Sequence, residues 1–489
     1  MDAFSDFLLP IVEKLNEWLS NYILIILLIG VGLFYSIRTK FVQVRCFGYG
    51  MKQVFGNIKL RGGKQKGGLS SFQALATAIA AQVGTGNIVG ACGAILVGGP
   101  GAIFWMWIIA FFGMATIYAE AILAQKTRKV NADGSVEGGP VYYIKHAFKG
   151  AFGKFLAGFF AVAVILALGF MGSMVQSNSI GGTVANAIGM DSSLKWIIGL
   201  VVAGLAAVIF LGGVNRIASV TEKIVPFMAL LYIAGSLIVI VTRIQYIPEA
   251  FGMIFRYAFQ PNALIGGGIG AALMTAISQG AKRGLFSNEA GMGSTPHAHA
   301  LANVKKPHDQ GCAAMIGVFI DTFIVLTMTA IVVISTLYAG DGALGNAASY
   351  DPNGAGLLEG LKGLFAKDTL AQTAFGTAFG TLFGASAGEM IGNIFVAACL
   401  FFFAFSTIIS WNLFGKINAN YLFGKIGTKV YAVIAIIFIF VGSMLKVDLV
   451  WELTDFFNYL MVLPNAIALF ALSGMVVSAL KDKDTLELQ

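Results

Sequence analysis

The chain has 489 residues, of which 57% are hydrophobic and only 11% charged, and it carries a formal net charge of +8. Mean hydropathy is +0.81 and the isoelectric point is near 9.1. A soluble domain carries about 25% charged residues, so a water-soluble globular enzyme is excluded, and so is a disordered chain, whose signature is low hydrophobicity with high charge. The 61 glycines show no collagen period and suit close helix packing in lipid. Four scattered cysteines (Cys46, Cys92, Cys312, Cys399) point to neither a disulfide scaffold nor a zinc cluster. What remains is a polytopic membrane protein. No alternating ten-residue segments of the β-barrel kind occur, so the expected class is all-α.

In chain order, runs long enough to cross a bilayer, roughly 20 apolar residues, fall at 20–37, 69–95, 101–124, 155–178, 194–211, 224–242, 262–281, 313–338, 388–415, 429–445 and 456–480. These are about eleven spans. The acidic leader Asp2, Asp6, Glu13 and Glu17 is unlike the positive start of a signal peptide, and the first run reads as a permanent helix. Residues 69–119 contain no charged side chain, and Gly98-Gly99-Pro100-Gly101 supplies the turn that divides them into two spans. Residues 38–68 and 125–154 are basic loops. Residues 282–312 read as a cytoplasmic connection with a short helix, and 339–387 as the largest external segment. Most of the 32 lysines and arginines then fall on one side of the membrane. By the positive-inside rule that side is cytoplasmic, with the N-terminus outside and the C-terminus inside. The positive charge is thus a topology signal and a contact with anionic lipid, with no nucleic-acid partner expected.

Inside spans, irregular backbone is tolerated only where protein buries it or it lines a cavity. The clearest interruption is Gln82-Val83-Gly84-Thr85-Gly86-Asn87. The residues alone leave two readings open. One is helix packing through small side chains with Asn87 bonded to a neighbour. The other is an unwound segment whose free N–H groups suit a carboxylate and whose free C=O groups suit a small cation. A second interruption falls in 262–281, where Gly266-Gly267-Gly268-Ile269-Gly270 and Ser278-Gln279-Gly280 compete for the break. If the first helix is an extra one, the two interrupted spans are the first and sixth of the remaining ten. They then occupy matching places in two five-helix halves of opposite direction, a pointer to a midplane transporter site. The corresponding division is 1–68 (external N-terminus, extra helix, basic loop), 69–242 (first half), 243–480 (second half) and 481–489 (cytoplasmic tail). Asp321 is the deepest buried charge and suggests either bonding to broken backbone or contact with a coupling ion. Glu120 reads as the partner of a loop cation.

Gly98-Gly99-Pro100-Gly101-Ala102-Ile103-Phe104-Trp105-Met106-Trp107, ending at Gly113, resembles the signature of the alanine or glycine:cation symporter family. Gly84-Thr85-Gly86-Asn87, the Arg283–Gly291 segment and Phe405-Ser406-Thr407 are similar to its other blocks. The resemblance implies a LeuT-like 5+5 inverted repeat preceded by one extra N-terminal helix, and sodium-coupled uptake of alanine or glycine. It implies substrate contacts from Thr85, Gly86, Asn87, Gln176, Ser278, Gln279 and Gly280, with Trp411 capping a small side-chain pocket. It places sodium on the carbonyls of Ala80 and Val83 and the hydroxyls of Ser406 and Thr407, oxygens of the kind a hard cation prefers. No cofactor other than the coupling ion is implied. Compact loops suit a multi-pass protein of a prokaryotic inner membrane.

Three rivals are weighed against this. Proton coupling would use the same fold. A channel would repeat a filter about a symmetric axis, whereas these breaks form an antiparallel pair within one chain. A membrane enzyme would draw on His297-Ala298-His299, His308-Asp309 and Glu289, but histidines two apart diverge on a helix, and the stretch reads as a solvated loop-helix. No P-loop motif for an ATP-driven pump occurs.

Overall fold

The computed structural model describes residues 2–56, 68–132, 135–261, 268–340, 342–345, 365–445 and 447–482. Lys59, Arg61, Lys64 and Lys66 of the basic loop, Gly266-Gly267 and residues 346–364 of the external segment lie outside them. The described chain is helical apart from one small hairpin, Lys129–Val130 with Val136–Glu137.

The first helix, α1 (Phe7–Arg38), is long enough to cross a membrane. It packs beside the Trp-rich helix, where a Cβ at Gly32 would meet Phe112 at 2.6 Å. A short amphipathic helix, α2 (Phe47–Phe55), follows. α3 (Ser71–Gln82) begins on a reciprocal cap. The Ser70 hydroxyl accepts from the Gln73 N–H (3.1 Å), and the Ser70 N–H donates to the Gln73 side chain (3.2 Å). It stops at Val83, and the chain resumes as α4 (Gly86–Gly98), bent by 44° from α3.

The turn at Gly98–Gly101 leads into α5 (Ala102–Thr127). Gly99 has φ 72°, and a Cβ at Gly101 would stand 2.1 Å from the Tyr257 backbone. Only glycine fits there, because a surface helix crosses directly over the turn. Trp105 and Trp107 of the same motif donate their indole N–H groups to Ala258 O (3.0 Å) and Thr327 Oγ1 (2.9 Å). The motif therefore rivets three helices together.

Next come α6 (Gly150–Ala187), α7 (Lys195–Phe210), α8 (Gly213–Thr242) and the surface helix α9 (Ile247–Phe259). α10 (Ile269–Asn288) is followed by an irregular stretch and the one-turn α11 (Pro296–Ala300). α12 (Pro307–Leu337), the hairpin α13 (Leu370–Phe383) and α14 (Ala385–Gly442), and α15 (Val447–Ala471) with α16 (Ser473–Asp482) complete the bundle. α14 bends at Gly424 (φ 65°), between the spans expected at 388–415 and 429–445. By length and apolarity, seven helices can cross a membrane among the described residues, and the bent α3–α4 pair makes eight. α7 is shorter, and α10 carries Lys282 and Arg283 inside it.

That last point corrects the sequence reading. Lys282 and Arg283, assigned to a cytoplasmic loop, belong to a helix, and the second break lies beyond them. The run Gly384-Ala385-Ser386-Ala387-Gly388 has the spacing of a hydrolase nucleophile turn, but it joins helix to helix rather than strand to helix. Gly384 (φ 86°) makes the turn, and Gly388 serves packing, since a Cβ there would strike Gly380 N at 2.1 Å. Exposed apolar side chains such as Leu211, Leu230 and Val241 cover the outside of the bundle, as lipid contact requires.

The close approach at Gly101 yields a test. Gly101→Ala should destabilise the detergent-solubilised protein by about 1–3 kcal/mol, the usual cost of overpacking, and lower its melting temperature. Gly252→Ala, on α9 with nothing within 4 Å, should leave it unchanged or raise it. Equal melting of both variants would contradict the packing described.

Candidate functional site

The site is built where two helices stop. At the end of α3 the backbone turns away at Val83 (ψ 87°). The Gly84 N–H donates to Asn87 Oδ1 (3.0 Å), and the Thr85 N–H donates to Gln176 Oε1 of α6 (3.1 Å). Both N–H groups would otherwise be orphans in a buried place. Asn87 turns its Nδ2 to the Asp321 carboxylate (2.6 Å) and carbonyl (3.1 Å) on α12. The helical turns on both sides are π-type, Gly86–Gly90 and Phe319–Leu326, a distortion that gathers at functional positions.

The second break faces the first. A Cβ at Gly86 would lie 3.0 Å from Ser287 Cα and 3.1 Å from Phe286 Cδ1. Ser287 Oγ donates to Asp321 (2.9 Å), as does Thr322 Oγ1 (2.7 Å), and Gln82 Nε2 donates to the free carbonyl of Asn288 (2.8 Å). Asp321 thus ties α4, α10 and α12 together. Of the two roles suggested by the sequence, bonding at the breaks is the one its side chain visibly performs.

From Glu289 the chain runs irregularly to Thr295, with Glu289 (φ 59°), Gly291 (φ 90°) and Gly293 (φ 79°) in the left-handed region. Glu120 of α5 accepts from the N–H groups of Gly291 (3.1 Å) and Gly293 (3.0 Å) and from Asn465 Nδ2 (2.6 Å). It serves the broken backbone and not a loop cation. Glu289 accepts from Trp411 Nε1 (2.5 Å) and from Ser294. Trp411 stands edge-on to Phe286 with ring centroids 5.8 Å apart, and its ring leaves no room for a Cβ at Gly172.

Two expectations about the sixth core helix are corrected. Ser278, Gln279 and Gly280 sit within α10, which is unbroken there. A Cβ at Gly280 would meet Trp105 Cβ at 2.5 Å, so that glycine packs α10 on α5. Gly268-Ile269-Gly270 opens the same helix. The break is at 289–295, where the run Gly291-Met292-Gly293-Ser294-Thr295-Pro296 carries the glycine-polar signal and the proline that restarts a helix. His297 and His299 are not solvated either. Both are fully buried, His297 beside Asn418 Nδ2 (2.8 Å) and His299 beside Gln310 Nε2 (2.8 Å).

The oxygens expected around a cation are only in part brought together. Thr407 Oγ1 lies 2.9 Å from the Ala80 carbonyl, and a Cβ at Gly84 would stand 2.4 Å from it. Ser406 Oγ faces the Phe403 carbonyl (2.9 Å) and Met228 Sδ (3.5 Å) instead. Val83 is buried at the end of α3. Beside the first break, Thr85 Oγ1 and Gln176 Nε2 are buried without a partner, as is Gln82 Oε1. Such atoms cost about 1–3 kcal/mol each when left unpaired. A polar ligand arriving there would find donors and acceptors unused.

One further contact was not anticipated. Arg283 on α10 pairs with Asp455 on α15 at 2.9 Å and lies over the Trp451 ring at 4.7 Å. Trp451 in turn packs on Phe286 with centroids 4.7 Å apart. The two helices are closed over one flank of the site by this ion pair and its aromatic bed.

Asn87→Ala removes the link between the first break and Asp321. A hydrogen bond to a charged group contributes about 1.5–3 kcal/mol, so substrate uptake should fall by about tenfold or more while the protein still reaches the membrane. Undiminished uptake by membrane-inserted Asn87→Ala would remove this residue from the site.

Comparisons with known proteins bear on the family and the fold. The model of the sodium:alanine symporter family matches residues 5–486. The sodium/alanine symporter AgcS of Methanococcus maripaludis is 39% identical over 473 residues, covering 96% of each chain. The amino-acid carrier protein AlsT of Bacillus subtilis is 35% identical over 486 residues, covering 99% of this chain and 93% of AlsT. Among solved structures, MhsT in complex with L-phenylalanine superposes with a TM-score of 0.56 at 14% identity, covering 86% of this chain and 97% of MhsT. That likeness establishes a LeuT-type transporter fold.

Proposed function

Because this chain belongs to the sodium:alanine symporter family, and so is a sodium-coupled amino-acid symporter rather than an enzyme, we propose that it carries alanine and glycine inward at the paired helix breaks. The reading is supported most by the unpartnered Thr85 Oγ1 and Gln176 Nε2 beside a backbone that has already left helical geometry. A zwitterion enters a bilayer midplane cheaply only if both charges meet fixed dipoles. Its carboxylate would take the Gln176 amide, the Thr85 hydroxyl and the N–H groups at the start of α4, around Gly86. Its ammonium would take oxygens around Asn87 and Gln82. Trp411 and Phe286 bound the space left for a side chain, which suits hydrogen or methyl. In this scheme Phe286, Ser287 and Glu289 take the place that Ser278, Gln279 and Gly280 were expected to fill.

Sodium would sit between α3 and α14, on the carbonyls of Ala80 and Val83 and the hydroxyl of Thr407, with Ser406 turning in from Met228. Bound there, it would hold α3 in its interrupted form. Each ligand then raises the affinity for the other by the same factor, and the inward sodium gradient drives the amino acid. Residues 69–242 and 243–480 would form the two inverted halves that rock about this point, with α1 as an addition outside them. The distribution of lysine and arginine supports an N-terminus outside, a C-terminus in the cytoplasm and placement in an inner membrane.

The test is uptake of radiolabelled alanine and glycine into proteoliposomes. Concentrative uptake should require an inward sodium gradient and vanish when potassium replaces sodium. A proton gradient alone driving equal uptake would favour the other coupling ion, and uptake that never saturates would favour a channel. Thr407→Ala should raise the sodium concentration for half-maximal uptake by about tenfold or more. Ser406→Ala should raise it less. Unchanged sodium dependence in Thr407→Ala would place the ion elsewhere.

A further inference from the structure

Away from the breaks, at the end of the bundle where α12 begins, three groups that ligate soft metals converge. His308 and Cys312 stand one turn apart on α12, on the same face. Pro307 starts that helix and so sets their position. Cys46 comes from the bend before α2. α2 can press this close because Gly50 has no side chain, and a Cβ there would lie 2.9 Å from the Cys312 carbonyl and 2.8 Å from Ile316 Cγ1. The ligand atoms of the three residues lie within 4.8 Å of one another, and Cys312 Sγ is 3.6 Å from His308 Nε2.

We propose that Cys46, His308 and Cys312 form a site for one thiophilic divalent cation of the zinc type, separate from the transport site. In a tetrahedral zinc site, with Zn–S about 2.3 Å and Zn–N about 2.0 Å, ligand atoms are about 3.5–3.8 Å apart. The Cys312–His308 spacing already has that value, and the rest of the cluster needs to close by about 1 Å. The imidazole is prepared for the task. Its Nδ1 lies 2.8 Å from Tyr118 Oη, the outer partner that fixes a ligating histidine with Nε2 free. Tyr49 stacks on the ring at 5.4 Å, and Tyr118 meets it edge-on at 5.8 Å. His308 and Cys46 are half-buried, so an ion has access.

On binding, the two thiols release their protons to water, and each sulfur donates an electron pair, as does His308 Nε2. Water takes the fourth position. The ion would clamp α2 onto the helix that carries Asp321.

The test uses the full-length protein in detergent, reduced and stripped of metal with a chelator. Titration with Co²⁺ should saturate at one ion per chain with thiolate-to-cobalt charge-transfer absorption, and Zn²⁺ should abolish that absorption. Cys46→Ser and Cys312→Ser should each weaken binding more than about 100-fold, and Tyr118→Phe about tenfold, as loss of an outer partner does. Sodium-driven alanine uptake by the metal-free cysteine variants reports that they fold. Should either variant fail that control, protection of wild-type Cys46 from maleimide by Zn²⁺ decides the matter. Charge-transfer absorption that survives in both cysteine variants, or no Zn²⁺ protection of Cys46, overturns the proposal.

Discussion

A helix broken inside a bilayer leaves amide N–H and carbonyl groups that no water can satisfy, and every part of this site answers that constraint. At the first break Asn87 Oδ1 and Gln176 Oε1 take the freed N–H groups, and three buried acidic side chains hold the broken segments in place. Glu120 takes the N–H groups of Gly291 and Gly293. Asp321 takes the side chains of Asn87, Ser287 and Thr322. Glu289 takes Trp411 and Ser294. None of these acids has an arginine or lysine as its hydrogen-bond partner among the described residues. Their partners are amides, hydroxyls and an indole, groups that can be exchanged one for another without parting two formal charges.

That choice bears on movement. A buried ion pair is costly to separate, because each partner is left uncompensated. A network of amides and hydroxyls around carboxylates can loosen in steps, each worth about 1.5–3 kcal/mol. Among the described residues the strong pair near the site, Arg283 with Asp455, is placed instead between α10 and α15, where the flank of the site is closed. The structure thus combines a compliant polar centre with a firmer latch, an arrangement consistent with helices that must move relative to one another during symport.

Glycine supports the same design by removing bulk where helices meet the breaks. Gly84 admits the Thr407 hydroxyl, Gly86 admits Phe286 and Ser287, and Gly172 admits the Trp411 ring. In each case a methyl group would occupy the space of a residue at the site. The abundance of glycine noted in the composition therefore has specific addresses, and several of them are contacts between functional segments rather than general helix packing.

By itself the sequence determined that this is a helical membrane bundle and that one of its spans is interrupted within Gln82–Asn87. Those features are local: length, apolarity and glycine-polar clustering act over a few residues and need no partner to be read. The Trp-rich turn and the deep placement of Asp321 were legible for the same reason. The second break was misplaced because three glycine clusters within thirty residues carry similar local signals. Only packing on α5 distinguishes Gly280, which needs closeness to Trp105, from Gly291 and Gly293, which need a left-handed turn. The reach of Glu120 across to that turn, the Arg283–Asp455 pair and the meeting of Cys46 with His308 and Cys312 were decided by tertiary structure alone. Each joins residues between 171 and 266 positions apart, and no local preference encodes such a distance.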